Sequence, residues 1–255
     1  MRFEKWHALG NAYLVVERAE AGELTPERVS RLCDPEVGIG SHGVLEVLTL
    51  GEGRADVRIW NPDGSVAEMS GNGTRIAACW LAGRADLHEV VVTTAGRDVH
   101  ARMLSDGEAE IDVGTVLVER PADLDVNGER LEVTPVSVGN PHAVVRMEGA
   151  TRDDLLRLGP ALEQHPRFPE RTNVQLVEPV GPNELRVLVW ERGAGETPSS
   201  GSSATAAAAV AVERGWCVNP VVVHLPGGDL VVTLGGGHAT LLGPAERICA
   251  GETAL

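Results

Sequence analysis

Residues 190–202 read Trp190-Glu191-Arg192-Gly193-Ala194-Gly195-Glu196-Thr197-Pro198-Ser199-Ser200-Gly201-Ser202, and an alanine run, Ala206 to Ala209, follows. Leu185 to Trp190, rich in Val and Leu, reads as a strand entering a glycine-bearing turn. Ser200-Gly201 then opens a helix whose first turns carry almost only small side chains. Unpaired backbone N–H groups at such a start, with the positive end of the helix dipole, attract a carboxylate or phosphate. A serine in such a turn is also an ordinary helix cap.

The stretch occurs twice. Trp60-Asn61-Pro62-Asp63-Gly64-Ser65 leads to Ser70-Gly71-Asn72-Gly73-Thr74-Arg75 and then to Ile76-Ala77-Ala78. Trp60 matches Trp190, Asn61 matches Glu191 and Ser70-Gly71 matches Ser200-Gly201, each pair 130 residues apart. Val90-Val91-Val92 through Asp98 matches Val221-Val222-Val223 through Asp229 at 131, and Gly10-Asn11 matches Gly139-Asn140 at 129. Strand, turn, helix and strand keep their order and spacing, so the sequence predicts an internal duplication. The expected halves face each other across a pseudo-twofold axis, each presenting one Ser-Gly helix start to a shared cleft.

A chain of 255 residues suits two domains of ordinary size. The expected boundaries are 1–114, which 243–255 can rejoin, and 115–242. Aromatic residues make up only 3%, so Val, Leu, Ile and Ala must build the core. A net charge of −15 argues against nucleic-acid and anionic-membrane partners. The N-terminus is charged and alternating rather than an apolar leader, and no run reaches the ~18 apolar residues of a membrane span. Cys33, Cys79, Cys217 and Cys249 are far apart, which suggests neither zinc nor a disulfide framework. Reduced thiols in a cytoplasmic protein are the expectation.

In chain order, Phe3 to Val16 reads as two strands about a Gly10-Asn11 turn. Thr25 caps a short helix to Leu32 with Pro26 at its first position. Gly38-Ile39-Gly40-Ser41-His42-Gly43 lacks the strand-before, helix-after setting of a nucleotide loop. Strands at Val44–Leu50, Arg54–Trp60 and Glu89–Thr94 surround a helix from Ser70 to Leu81. Thr115 to Pro135 reads as the crossing between halves. The second half then offers strands in Val136–Met147, a helix at Arg152–Leu162, strands at Val174–Glu178 and Leu185–Trp190, the helix after Ser200, and Val221–Leu234. The architecture is α+β, each half a mostly antiparallel sheet wrapped around one central helix.

Taken together, Gly10-Asn11, Gly38-Ile39-Gly40, Asn61-Pro62-Asp63-Gly64-Ser65, Gly71-Asn72-Gly73-Thr74-Arg75, Gly139-Asn140-Pro141-His142, Asn173-Val174 and Glu191-Arg192-Gly193-Ala194-Gly195-Glu196-Thr197 resemble diaminopimelate epimerase. The likeness runs in order from Met1 to roughly Gly235. It implies a cytoplasmic, cofactor-independent and metal-free amino-acid epimerase of lysine biosynthesis, built from two pseudo-symmetric halves. Two cysteines, one per half, would move the Cα proton on opposite faces. The resemblance implies that Gly71, Asn72, Gly201 and Ser202 give backbone donors to the substrate α-carboxylate. It implies that Glu191 accepts the α-ammonium with Asn61 nearby, and that Asn11, Asn140, Asn173 and Arg192 grip the distal end. His142 would sit beside one catalytic position, and a homodimer fits the pattern.

Both positions that the resemblance makes cysteine are serine here, Ser70 and Ser200; Ala12, His42 and Ser203 also depart from the pattern. A thiol ionises near ~8.5 and a serine hydroxyl, like water, near ~15.7. That gap of roughly 7 units makes the serine base costlier by on the order of 10 kcal/mol. His42 and His142 are the candidates to supply the missing base, since histidine titrates near neutrality. Three readings follow. One is amino-acid epimerisation assisted by histidine; another is a different proton-transfer, elimination or hydrolytic reaction in the same pocket. The third is a non-catalytic amino-acid binder.

Overall fold

Leu9 and Gly10 take φ of 52° and 83° and turn β1 (Arg2–Ala8) back onto β2 (Asn11–Glu17). Two positive-φ residues give the hairpin the right-handed twist that paired strands prefer. The computed structural model describes residues 1–67, 69–105 and 107–255. They divide into two compact units, Met1–Asp112 with Leu242–Leu255, and Val113–Leu241.

In the first unit, the single turn α1 (Arg18–Ala21) precedes α2 (Pro26–Cys33). Thr25 Oγ1 caps α2 by accepting from the Arg28 N–H at 3.3 Å, Pro26 stands at its start, and Val29, Leu32 and Cys33 are buried. β3 (Val44–Gly51) runs parallel to β2 and antiparallel to β4 (Arg54–Trp60), whose Trp60 lies opposite Val44. β5 (Val66–Ala67) folds back on β4 and leads to α3 (Gly71–Ala85). β6 (Glu89–Thr94) then runs parallel to β4, followed by antiparallel β7 (Arg97–Ser105) and β8 (Glu108–Thr115).

The second unit begins with β9 (Leu117–Val118), β10 (Ala122–Val126), β11 (Glu129–Ser137) and β12 (Pro141–Arg146). The sequence reading takes Thr115 to Pro135 for a crossing. Instead Asn127 and Gly128, at φ 57° and 81°, form the tight turn of the β10–β11 hairpin, with Val126 opposite Glu129. An Asn-Gly pair is a hairpin signal before it is a linker signal. α4 (Arg152–Glu163) opens with a capping box between Thr151 and Asp154 and buries Leu155, Leu158 and Leu162. β13 (Asn173–Gly181), β14 (Glu184–Glu191), β15 (Gly195–Thr197), α5 (Gly201–Glu213), β16 (Val221–Leu225), β17 (Gly228–Gly235) and β18 (His238–Pro244) follow. β19 (Glu246–Glu252) closes the first unit by pairing antiparallel with β1.

Strand pairing repeats the sequence repeat. Val44 faces Trp60 as Val174 faces Trp190, and Trp60 faces Val66 as Trp190 faces Glu196. β2 and β3 are parallel, as are β12 and β13; β4 and β6 are parallel, as are β14 and β16. α3 packs on the strands of its own unit and α5 on those of its own. Gly71 through Ala82 are all buried, as are Ser203 through Ala211. α5 fills its buried stretch with alanine, serine, threonine and valine, whereas α3 also buries Arg75, Ile76, Trp80 and Leu81. Each fully buried Leu or Val around these helices stabilises by about 1.5–3 kcal/mol.

The paired tryptophans also anchor alike. Trp60 Nε1 donates to Glu46 Oε2 at 2.9 Å, and Trp190 Nε1 donates to Glu163 Oε2 at 2.7 Å. Glu46 is fully buried on β3 and also accepts from Arg18 Nε at 2.8 Å; Glu163 ends α4 and accepts from the Gly193 N–H at 2.9 Å. Gly159 is required under the second indole, because a Cβ there would lie 2.7 Å from Trp190 Cγ. No helix among the described residues is long and apolar enough to cross a membrane.

Candidate active site

Ser70 and Ser200 are the residues before α3 and α5, with φ −144°, ψ 113° and φ −146°, ψ 119°. Each carbonyl accepts the first helical bond, from Thr74 N–H at 2.8 Å and from Ala204 N–H at 3.0 Å. The side chains part company. Ser70 Oγ accepts from the Gly73 N–H at 3.0 Å and lies 3.0 Å from the Tyr13 hydroxyl. Ser200 makes no side-chain cap bond and is 5% exposed.

Further along each helix the N-terminal carbonyl is bonded four residues on. Arg75 Nη1 donates to Gly71 O at 3.4 Å, and Thr205 Oγ1 donates to Gly201 O at 2.9 Å. Arg75 is fully buried, also donates to Asn72 Oδ1 at 2.6 Å, and leaves Nε unpaired. Both of its acceptors are neutral. Burial lowers its pKa to about 10, with a small opposing effect of Cys79, so it stays charged at neutral pH. Asn72 is thereby held by its side chain and keeps its backbone N–H at the helix start.

The first unit also brings His42 to Ala12. His42 Nδ1 accepts from the Ala12 N–H at 3.0 Å, and the His42 N–H donates to Ala12 O at 2.7 Å. A ring nitrogen that accepts must carry the lone pair, so the hydrogen is on Nε2. Burial of part of the ring lowers its pKa, helped by the Lys5 charge, although the residue is exposed. Asn11 begins β2 with a buried, unpaired Oδ1. Asn61 follows β4 and is committed to its own turn, Nδ2 donating to Ser65 Oγ at 2.9 Å.

In the second unit His142 is fully buried between Asn140 and Gln175. Its Nε2 lies 2.9 Å from Asn140 Oδ1, and its Nδ1 lies 3.0 Å from Gln175 Nε2. Burial pushes its pKa down to about 3, and Arg192 adds to the effect against the Gln175 hydrogen bond. Asn173 is 5% exposed and engaged at both ends, Nδ2 donating to Pro141 O at 2.9 Å and Oδ1 accepting from the Arg192 N–H at 3.0 Å. Arg192 itself is exposed and reaches Glu170 O at 3.2 Å. Glu191 ends β14, partly buried; burial raises its carboxyl pKa against a hydrogen bond from Thr197. Gly201 is buried and Ser202 half-buried in the first turn of α5.

A model of the diaminopimelate epimerase family matches residues 3–118 and again residues 134–248. The chain belongs to that family. The double match shows the internal duplication, and the β10–β11 hairpin turn lies in the gap between the matches. Diaminopimelate epimerases of Alkalilimnicola ehrlichii and Synechococcus elongatus are 37% and 38% identical, each aligned over 100% of this chain and 99% of the relative. Among solved structures, a predicted epimerase of Pseudomonas aeruginosa is similar at TM-score 0.77 and 19% identity, covering 100% of this chain and 99% of that one. A hydroxyproline epimerase of Agrobacterium vitis with bound trans-4-hydroxy-L-proline is similar at TM-score 0.72 and 16% identity, covering 98% and 91%. A phenazine biosynthesis protein of the PhzF family from Bacillus anthracis reaches TM-score 0.74 at 15% identity, covering 100% and 99%. These distant likenesses extend the epimerase-family fold.

Two residues beside the helix starts of this family member escape sequence reasoning. Tyr13, the only tyrosine in the chain, reaches Ser70 across 57 residues, and nothing in the sequence pairs them. Gln175 had a signal: two residues after Asn173 on one strand, it shares a face with that asparagine. Cys79, on α3 itself, is buried, and burial raises its thiol to about 11.

Proposed function

We propose that this chain is an amino-acid epimerase or isomerase that moves a proton at Cα of a substrate held between the starts of α3 and α5, in a cleft between the halves. Diaminopimelate is the substrate assigned first, on the names of the relatives. The observation that carries the reading is the matched pair of helix starts, Ser70 and Ser200, with the same backbone angles at the same place in a duplicated chain. Backbone donors of Gly71, Asn72, Gly201 and Ser202 would hold the α-carboxylate. Glu191 would take the α-ammonium beside Asn61. Asn11, Asn140 and Arg192 would meet the distal group, and Asn173, engaged at both ends, would hold Arg192 in place. No cofactor is assigned.

The proton then has few carriers. His42 offers Nε2–H, a donor, and His142 resists protonation, so neither matches a base poised near neutrality. Ser70 and Ser200 would flank Cα, at a cost for each alkoxide on the order of 10 kcal/mol above a thiolate. Turnover by that pair is therefore expected to be slow. A second reading is favoured by Glu191, whose raised carboxyl pKa suits a general base. Here the carboxylate alone moves a proton, and an isomerisation or elimination follows without inversion.

Incubation with diaminopimelate and other amino acids in D2O tests this. Deuterium at Cα with inverted configuration supports the epimerase. A rearranged product that disappears in Glu191→Gln supports the second reading. Thermal stabilisation by ligand with neither result leaves an amino-acid binder and overturns both.

A further inference from the structure

Four polar side chains of the second unit form one hydrogen-bonded row. Asn140 Oδ1 meets His142 Nε2 at 2.9 Å, His142 Nδ1 meets Gln175 Nε2 at 3.0 Å, and the same Gln175 nitrogen donates to Ser203 Oγ at 3.0 Å. His142, Gln175 and Ser203 are each 0% exposed, on β12, β13 and the first turn of α5. The row reaches the third residue after Ser200.

Its members are not independent. The Gln175 amide nitrogen carries two hydrogens, one for Ser203 Oγ and one for His142 Nδ1. A ring nitrogen that accepts keeps its lone pair, so the imidazole hydrogen sits on Nε2 and goes to Asn140 Oδ1. One lone pair of the Asn140 oxygen is then taken by the ring, and its –NH2 carries the free donors that can meet a ligand. Turning the Gln175 amide round would reverse every bond and present the Asn140 oxygen instead. The orientation found leaves Gln175 Oε1 buried without a partner, a cost of about 1–3 kcal/mol. Such local costs are kept where geometry serves a site.

We propose that Gln175, anchored by Ser203, is a positioning residue that fixes His142 as the Nε2–H tautomer and thereby makes Asn140 a hydrogen-bond donor toward its ligand. The inference rests on the reading of Asn140 as substrate-facing. It gives that end of the site a preference for a group that accepts hydrogen bonds, a carboxylate or carbonyl oxygen, over one that donates, such as an ammonium. Ser203, which departs from the family pattern, supplies the anchor.

Long-range 1H–15N correlation on the uniformly labelled full chain reads the tautomer directly, with His142 assigned by its loss in His142→Gln. The expected spectrum is a neutral ring protonated on Nε2 from about pH 5 to about pH 8. Gln175→Glu puts an acceptor against Nδ1 and is expected to move the hydrogen to Nδ1 or to protonate both nitrogens. A wild-type ring protonated on Nδ1, or a Gln175→Glu ring still in the wild-type state, overturns the proposal. Where that variant does not fold, the wild-type spectrum decides alone. The measurement needs no substrate, so it holds or fails separately from Cα exchange in D2O.

Discussion

The starts of α3 and α5 descend from one sequence and keep one backbone, yet their chemistry differs. At the first, Ser70 is tied to Gly73 and Tyr13, and a buried cation, Arg75, bonds the Gly71 carbonyl. At the second, Ser200 makes no cap bond and a neutral hydroxyl, Thr205, bonds the Gly201 carbonyl. The first start therefore adds positive charge to the helix dipole and restrains its hydroxyl. The second has only its dipole and a hydroxyl free of the cap. Duplication preserved the frame, and divergence assigned charge to one copy and freedom to the other.

The largest expected effect comes from giving both starts the same reactive group. Ser70→Cys with Ser200→Cys supplies two thiols of suitable pKa, and Cα exchange with inversion is expected to rise at least about a thousandfold over the parent, some 4 kcal/mol of barrier. Each single variant should give far less two-directional turnover, since inversion needs an acid opposite the base. A double variant that folds and binds amino acid without exchange would break the equivalence of the two starts and abandon the epimerase reading.

Next comes acid. His142 in the folded chain titrates at about 3, below the ordinary value of 6.5, so the unfolded chain binds protons that the folded chain refuses. Stability is fully retained above about pH 6.5 and falls as pH drops through the window toward about 3. Between pH 7 and pH 5 this group alone removes about 2 kcal/mol. Urea melts at both pH values should show that loss shrink by about this amount in His142→Gln. His42, exposed in the first unit, shifts in the same direction, and His42→Gln should change the loss much less. Equal effects from the two would refute the contrast in burial.

The smallest effect is the most direct comparison. Ser70→Ala should destabilise by about 1 kcal/mol, the usual worth of a helix cap. Ser200→Ala should change stability by no more than a few tenths of a kcal/mol, because no cap bond is lost. Matched thermal or urea melts check the pair.

The duplication was legible because the matching residues sit where strand register is fixed. Trp60 and Trp190 face Val44 and Val174, so an offset in sequence is an offset in pairing. The cap of α2 was legible too, since Thr25 bonds within its own first turn. The site was less so. His142 reads in sequence as a base, and its burial follows from β12 lying between β11 and β13, which no local pattern announces. The Tyr13–Ser70 contact joins residues far apart in the chain. The β10–β11 hairpin was hidden because Pro121 and Asn127-Gly128 read as marks of a crossing, although that Asn-Gly pair is the hairpin's own turn.

The two indoles carry a consequence for anyone wishing to rebuild this protein from a single repeated half. Trp60 and Trp190 occupy matching positions, but their carboxylates come from a strand in one case and a helix end in the other. Copying either half over the other by alignment would move the carboxylate with its own tryptophan and preserve the bond. A chimera averaged column by column would separate them, leaving one indole N–H sealed from water with nothing to accept it, at about 1–3 kcal/mol. Symmetry here is heritable by whole modules and not by positions.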